Sequence, residues 1–252
     1  MQFTNSELGL AKYMVMLKKE AKWGTSYYER HDLNEQYWNK TLGPIKDNPE
    51  FWENKVALDF GTGMGRNVNN LLSLSNWKSI YAVDISEKNI TKCTETFPEK
   101  AKFRLSSGRD LKLFKDDSID FIVSTLVFKH LACHSLRFML LKEIYRVMKP
   151  GAIFTFDMGS GQDLTERAYP NHWFCLMRTG GLIMPTELQV VDYKDNYYDA
   201  TGSNGECDVR VLNTSDLESD LTKIGFKNIQ IDRLPSYDDY IHTEWLYIKC
   251  EK

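Results

Sequence analysis

Short apolar runs alternate with helical segments through the middle of the chain. Val56–Phe60, Ile80–Asp84, Ile119–Ser124 and Ala152–Asp157 are rich in β-formers, as strands buried on both faces of a parallel sheet are. Between them Arg66–Leu74, Ser86–Thr96 and Ser135–Met148 read as helices, the last stopped by Lys149-Pro150-Gly151. The alternation predicts right-handed βαβ units and a doubly wound α/β sheet. Further on, Ser215 and Glu218 form a capping-box pattern, Leu217, Leu221 and Ile224 share a helical face, and Gly225 suits the position after the helix. Phe226–Ile231 and Thr243–Ile248 read as closing strands whose short connection favours an antiparallel pair.

Two regions break this rhythm. Residues 5–22 predict a helix with Leu8, Tyr13, Met16 and Leu17 near helical spacing, and a second helix starts at Asp32 and runs towards Gly43. Residues 159–213 are roughly 55 in number, far beyond the few residues usual between elements of an α/β unit. They hold Trp173, Phe174, Met177, Leu182, Ile183 and Met184, then a tyrosine- and acid-rich stretch, and read as an inserted lid. The expected organisation is one domain over 1–252: an N-terminal helical cap (1–54), a core (55–158 and 214–252) and the lid (159–213).

Composition narrows the function classes. Of 252 residues 42% are hydrophobic, enough for a full core, and the net charge is −3. That balance supplies no basic face for long nucleic acids. No apolar run reaches membrane-spanning length, and the first residues, with Glu7, Lys12, Lys18 and Lys19, lack the pattern of a secretory signal. The cysteines, Cys93, Cys133, Cys175, Cys207 and Cys250, are scattered and never form a C-x-x-C pair. Reduced thiols in a cytoplasmic protein are therefore expected.

The candidate chemistry lies at Val56-Ala57-Leu58-Asp59-Phe60-Gly61-Thr62-Gly63-Met64-Gly65-Arg66. An apolar strand enters a glycine turn and a helix follows. Gly61 permits a tight turn, Gly63 lets a ligand approach the backbone, and Gly65 lets the helix pack on the strand. The helix start offers free N–H groups to an anion. A dinucleotide fingerprint is G-x-G-x-x-G; here the third glycine comes one residue early and Arg66 fills its place. Asp84, at the end of the next strand and about 20 residues after Gly65, can accept hydrogen bonds from both hydroxyls of a ribose, whichever nucleoside is bound.

Asp59 with Gly61, Gly63 and Gly65 makes a D-x-G-x-G-x-G pattern that resembles the first motif of class I S-adenosylmethionine (SAM) methyltransferases. Asp117-Ser118-Ile119-Asp120-Phe121-Ile122-Val123-Ser124 resembles their fourth strand. Leu141-Lys142-Glu143-Ile144-Tyr145-Arg146-Val147-Met148-Lys149-Pro150-Gly151 resembles the helix and turn before their fifth. The resemblance covers about residues 55–158 and the 214–250 tail. It implies a Rossmann-like, mostly parallel seven-stranded sheet with an antiparallel last strand. It also implies SAM as cofactor, S-adenosylhomocysteine (SAH) as product, and no metal. Cofactor contacts are expected at Asp59, Gly61, Thr62, Gly63, Asp84, Ile85, Gly108, Arg109, Asp110 and Ser124. One departure stands out: many members carry an acid for the adenine amino group after the third strand, and Gly108 occupies that position here.

Other readings compete. Asp59 either caps the turn or orients ligand. Glu143 and Arg146 read as a turn-stabilising pair. His130, Cys133 and His134 look superficially like metal ligands, but the rest of the sequence holds no such cluster and no metal site is expected; His130 alone, just beyond the fourth strand, is a candidate general base. Among Trp23, Tyr27, Tyr28 and Trp38, which either pack or face the sulfonium and acceptor, Tyr28 is the candidate site residue. Asp192, Asp195, Asp199 and Asp208 read as a solvated loop. The lid and the near-neutral charge favour a small-molecule acceptor methylated on oxygen or nitrogen. The alternatives are a protein, peptide or RNA acceptor, a nicotinamide-dependent oxidoreductase, and a non-catalytic SAM-binding subunit. The pattern is silent on oligomeric state.

Overall fold

Alternation along the strands sorts the core onto two faces of one sheet. Leu58, Phe60, Ile122, Phe154 and Phe156 belong to one buried cluster, and Ala57, Ile80, Ala82, Phe121 and Val123 to the other. Successive strand residues point to opposite faces, so each face needs its own helical cover. A computed structural model describes residues 40–131, 134–160, 176–177, 210–211, 214–235 and 244–252.

The described elements are β1 (Val56–Phe60), α1 (Arg66–Leu74), β2 (Ser79–Asp84), α2 (Glu87–Thr96), β3 (Lys102–Leu105), β4 (Ile119–Ser124), α3 (His134–Val147), β5 (Met148–Ser160), the two-residue strands β6 (Leu176–Met177) and β7 (Arg210–Val211), α4 (Thr214–Ile224), β8 (Lys227–Pro235) and β9 (Glu244–Glu251). Strand order is β3-β2-β1-β4-β5, all parallel, followed by β9 antiparallel to β5 and β8 antiparallel to β9. These seven strands form the expected Rossmann-like sheet, with the strand last in the chain antiparallel.

The first cluster packs the sheet against Leu136, Leu140, Leu141 and Ile144 of α3 and Leu217 and Leu221 of α4. The second packs it against Val68 and Leu71 of α1 and Cys93 of α2. Trp52 covers this side: its ring meets Phe121 edge-on at 5.2 Å and its indole N–H donates to the Pro44 carbonyl at 2.8 Å. Burial of a side chain of this size contributes about 1.5–3 kcal/mol.

β1, α1 and β4 match the expected boundaries, β2, α2 and α3 differ by a residue, and the closing strands run further than expected, to Pro235 and Glu251. β5 begins at Met148, with a register irregularity before Ile153, because Pro150 cannot donate to a ladder. It also runs on to Ser160, two residues into the expected lid. There it pairs with Arg210–Val211, which pairs in turn with Leu176–Met177, so parts of that segment join the sheet. α4 begins at Thr214, one residue before Ser215. Gly225 follows α4 as expected, at φ +119°, its N–H donating to the carbonyls of Leu221 and Thr222. The second N-terminal helix was expected to run towards Gly43: Lys40 and Thr41 are helical, the chain bends at Leu42, and a further helical turn, Gly43–Lys46, follows with Pro44 in its first turn. The 5–22 helix and most of residues 159–213 lie outside the described residues. Among the described residues, no helix is long and apolar enough to cross a membrane.

Candidate active site

The site is built at the C-terminal edge of the parallel strands. β1 ends at Phe60 and the chain turns through Gly61, Thr62, Gly63, Met64 and Gly65 into α1. Gly61 and Gly65 have φ of +78° and +85°, where a Cβ is strained. A Cβ on Gly61 would also overlap the side chain of Val127, and one on Gly65 would meet Phe97 and the thiol of Cys93. Gly65 therefore admits close packing of α2, where the sequence suggested packing of helix on strand. Burial pushes the Cys93 thiol up to about 12, so it stays protonated beneath the turn.

The turn is tied to β2. The N–H groups of Gly61 and Thr62 both donate to the Val83 carbonyl at 2.9 Å. Gly63 N–H donates to Asp84 Oδ2 at 2.8 Å, and Asp84 Oδ1 accepts from Ser86 N–H at 2.8 Å and Asn89 Nδ2 at 3.4 Å. Burial raises the carboxyl above its ordinary range against the pull of these hydrogen bonds. Asp84 is thus the brace of the turn as well as the expected ribose ligand. A carboxylate accepts about four hydrogen bonds, so Oδ2 keeps capacity for a ligand hydroxyl. Ile85, next in the chain, is half-buried.

Asp59 is fully buried on the side of the sheet facing α1. Asn67 Nδ2 donates to Asp59 Oδ1 at 2.9 Å and to Thr125 Oγ at 3.0 Å, and Arg66 Nη2 reaches the same Thr125 oxygen at 3.0 Å. Asp59 Oδ2 has no hydrogen-bond partner among the described residues. Desolvation pushes this carboxyl up to about 6, opposed by the Asn67 hydrogen bond, the nearby Thr62 hydroxyl and the Arg66 charge. An orphaned buried acceptor is costly unless something donates to it. The turn, the braced Asp84 and this orphaned oxygen fit SAM, which carries ribose hydroxyls and a cationic amino group.

Beyond β3 the loop is knotted by serines. Ser106 Oγ accepts Gly108 N–H at 3.0 Å, and Ser107 Oγ accepts the N–H groups of Arg109 at 3.1 Å and Asp110 at 3.3 Å. These backbone donors are engaged within the loop, and the Asp110 carboxylate pairs with Lys112 at 3.3 Å. Glu143 accepts Leu111 N–H at 2.9 Å, and Arg146 donates to the carbonyls of Leu111 and Phe114 and to Asp116. Arg146 holds the Glu143 carboxyl below its usual range. The pair is the turn-stabilising device the sequence suggested.

The segment after β4 forms the opposite wall. Ser124, an expected cofactor contact, donates its hydroxyl to the Phe60 carbonyl at 2.9 Å and ties β4 to β1. Leu126 adopts φ +60° and its N–H donates to Asp157 Oδ1 at 2.7 Å. Lys129 is buried with its ammonium 5.2 Å from the ring centroid of Trp245. Arg137, also buried, donates Nη1 to the Leu131 carbonyl. His130 closes the one-turn helix Phe128–His130, so its backbone lies beside this wall, while its side chain is outside the described set. Tyr28, with Trp23, Tyr27 and Trp38, is also outside the described residues. Sequence reading missed Asn67, Thr125, Asp157, Lys129 and Arg137. A signal existed only for Asp157, an acid ending an apolar strand.

Fold and glycine turn together are similar to those of Rossmann-like class I methyltransferases that use SAM. Residues 58–156, from inside β1 to the level of Asp157, match the family described as "Methyltransferase domain". No protein of curated function matches it in sequence.

Among solved structures it is similar to Burkholderia thailandensis 1,6-didemethyltoxoflavin-N1-methyltransferase with bound 1,6-didemethyltoxoflavin and SAH. The identity is 14% over 100% of this chain and 92% of that one, with a TM-score of 0.59. It is similar to Haemonchus contortus phosphoethanolamine N-methyltransferase 2 in complex with phosphomonomethylethanolamine and SAH, at 14% identity over 85% of this chain and TM-score 0.58. This chain spans 52% of that one. It is also similar to a SAM-dependent methyltransferase from Methanosarcina mazei, at 19% identity over 81% and 96% and TM-score 0.53.

Proposed function

We propose that this chain methylates an oxygen or nitrogen of a small molecule in the cytoplasm, with SAM seated on the glycine turn. The observation that carries the cofactor placement is Asp84, braced by Gly63 and Ser86 yet with acceptor capacity left on Oδ2. Two facts support a small acceptor: the net charge of −3 is not the strongly basic balance of proteins that bind long nucleic acids, and the structural relative from Burkholderia holds a small heterocycle.

SAM supplies a methyl group already activated by the neighbouring sulfonium. The residues of the chain then align, desolvate and, where the acceptor arrives protonated, remove a proton. Asp84 holds the ribose, Asp59 faces the cationic amino group, and Gly61, Thr62 and Gly63 present backbone to the ligand. Ile85 lines the nucleoside. The loop Gly108–Arg109–Asp110 flanks the adenine, with Ser107 and Asp110 side chains as its readers. Ser124 acts through Phe60, by fixing the strand beneath the turn. His130 is the general base and Tyr28 lines the acceptor pocket under a lid formed by 159–213, all within a single domain. Alignment of this kind lowers barriers by about 7–11 kcal/mol in favourable intramolecular cases.

The test has two steps. Calorimetry with SAM, SAH, NAD and NADP should give heat only with the first two. A panel of small acceptors incubated with SAM should then yield one product heavier by a methyl group in mass spectrometry. Methylation confined to protein or RNA would overturn the acceptor assignment.

A further inference from the structure

Three consecutive residues after β4 are each held by a different part of the fold. Thr125 Oγ accepts from both Arg66 and Asn67 at the start of α1, each at 3.0 Å. Leu126, at φ +60°, is held by its N–H to Asp157 at the end of β5. Val127 occupies the space that a Cβ on Gly61 would fill. Two of these three anchors, the α1 start and Gly61, belong to the glycine turn. The same stretch continues into the one-turn helix Phe128–His130 on the opposite wall.

We propose that Thr125 is a positioning residue through which cofactor seated on the glycine turn sets the acceptor-side segment 125–131. This rests on the cofactor placement proposed above. Asn67 Nδ2 is shared between Asp59 Oδ1 and Thr125 Oγ, so whatever fixes Asp59 and the helix start also fixes the orientation of Asn67. Thr125 converts that into a fixed backbone. With two donors on its one oxygen, the hydroxyl has both acceptor positions filled. Leu126 then has to enter the left-handed region, which a leucine occupies only when its surroundings hold it there. The network is also incomplete: Asp59 Oδ2 and Asn67 Oδ1 are buried without hydrogen-bond partners among the described residues. A half-satisfied buried network is costly, and one that a ligand completes becomes more rigid. Cofactor that completes the network would therefore stiffen the acceptor wall at anchors it already has, favouring cofactor-first binding.

The probe is SAH, and the readout is amide hydrogen exchange of peptides spanning 125–131, with and without saturating SAH, beside calorimetric SAH affinity. Thr125→Ser keeps the acceptor oxygen and Thr125→Val removes it. In wild type and Thr125→Ser, SAH should slow exchange in 125–131 by about tenfold or more. In Thr125→Val, SAH should bind within about threefold of wild type while the slowing disappears. Arg66→Met removes one donor from the other end and should halve or abolish the effect, which keeps the test open if Thr125→Val does not fold. Wild-type slowing in Thr125→Val, or in Arg66→Met should the valine variant not fold, would overturn the proposal. Absence of SAH heat in the wild type would instead overturn the cofactor placement itself.

Discussion

Gly61 and Val127 compete for one space: a methyl group on Gly61 would overlap the Val127 side chain that folds back from the end of β4. The glycine at the head of the turn is thus required by Val127, in the segment after β4, as much as by its own φ of +78°. Gly61→Ala should destabilise the protein by about 2–4 kcal/mol, combining left-handed strain with overpacking. Trimming the neighbour in Gly61→Ala/Val127→Ala should recover part of that loss. Urea denaturation of the four members of the cycle measures the coupling, and additive effects would show that the two sites are independent.

Asp84 is a structural brace as well as the proposed ribose ligand. From the sequence alone, Asp84→Ala should weaken cofactor binding and leave the fold intact. With Gly63 N–H and Ser86 N–H both donating to the carboxylate, the alanine variant also strands two buried donors. A cost of roughly 2–4 kcal/mol in stability is expected, at about 1–3 kcal/mol for each stranded group and less the desolvation relieved. Asp84→Asn, which keeps one acceptor oxygen, should lose less. Thermal melts beside SAH calorimetry separate the two roles; an alanine variant as stable as wild type would remove the bracing role.

The fully buried Asp59 gives the stability a signed pH dependence. Its folded pKa, about 6, lies above the unfolded value of 3.8. Between these values the folded state binds more protons than the unfolded state. Stability therefore falls as pH rises from about 4 to about 6 and is level above that. Asp59→Asn removes this contribution. The variant should be more stable than wild type at pH 8, by at most roughly 3 kcal/mol, and the gap should close near pH 4. Urea melts of both proteins at pH 4 and pH 8 make the comparison. A pH-independent gap would mean that Asp59 titrates normally.

His130 lies by its backbone on the segment after β4 proposed as the acceptor side. His130→Ala should leave SAH affinity near wild type and lower turnover of the acceptor found in the screen by about 100-fold, the range of a general base. Initial rates from pH 6 to 9 provide the check, and wild-type turnover throughout would take His130 out of the chemistry.

Local pattern determined a great deal of this protein. β1, β4 and α1 match the sequence-derived boundaries, because period-two burial, glycine turns and a proline stop act within a few residues of where they are written. The cofactor motif was legible for the same reason: strand, turn and helix are contiguous, and Asp84 follows one βαβ unit later. What only the tertiary structure decided are relationships between distant residues. Nothing near Gly65 in sequence announces Cys93 and Phe97 as the reason for its glycine, nor Val127 as the reason for Gly61. Likewise Thr125, Asn67 and Asp157 are ordinary polar residues until the sheet order β1-β4-β5 brings the ends of three strands side by side. Hydrogen bonds between partners tens of residues apart depend on register and strand order, and these are set by the burial of the whole core rather than by any local pattern.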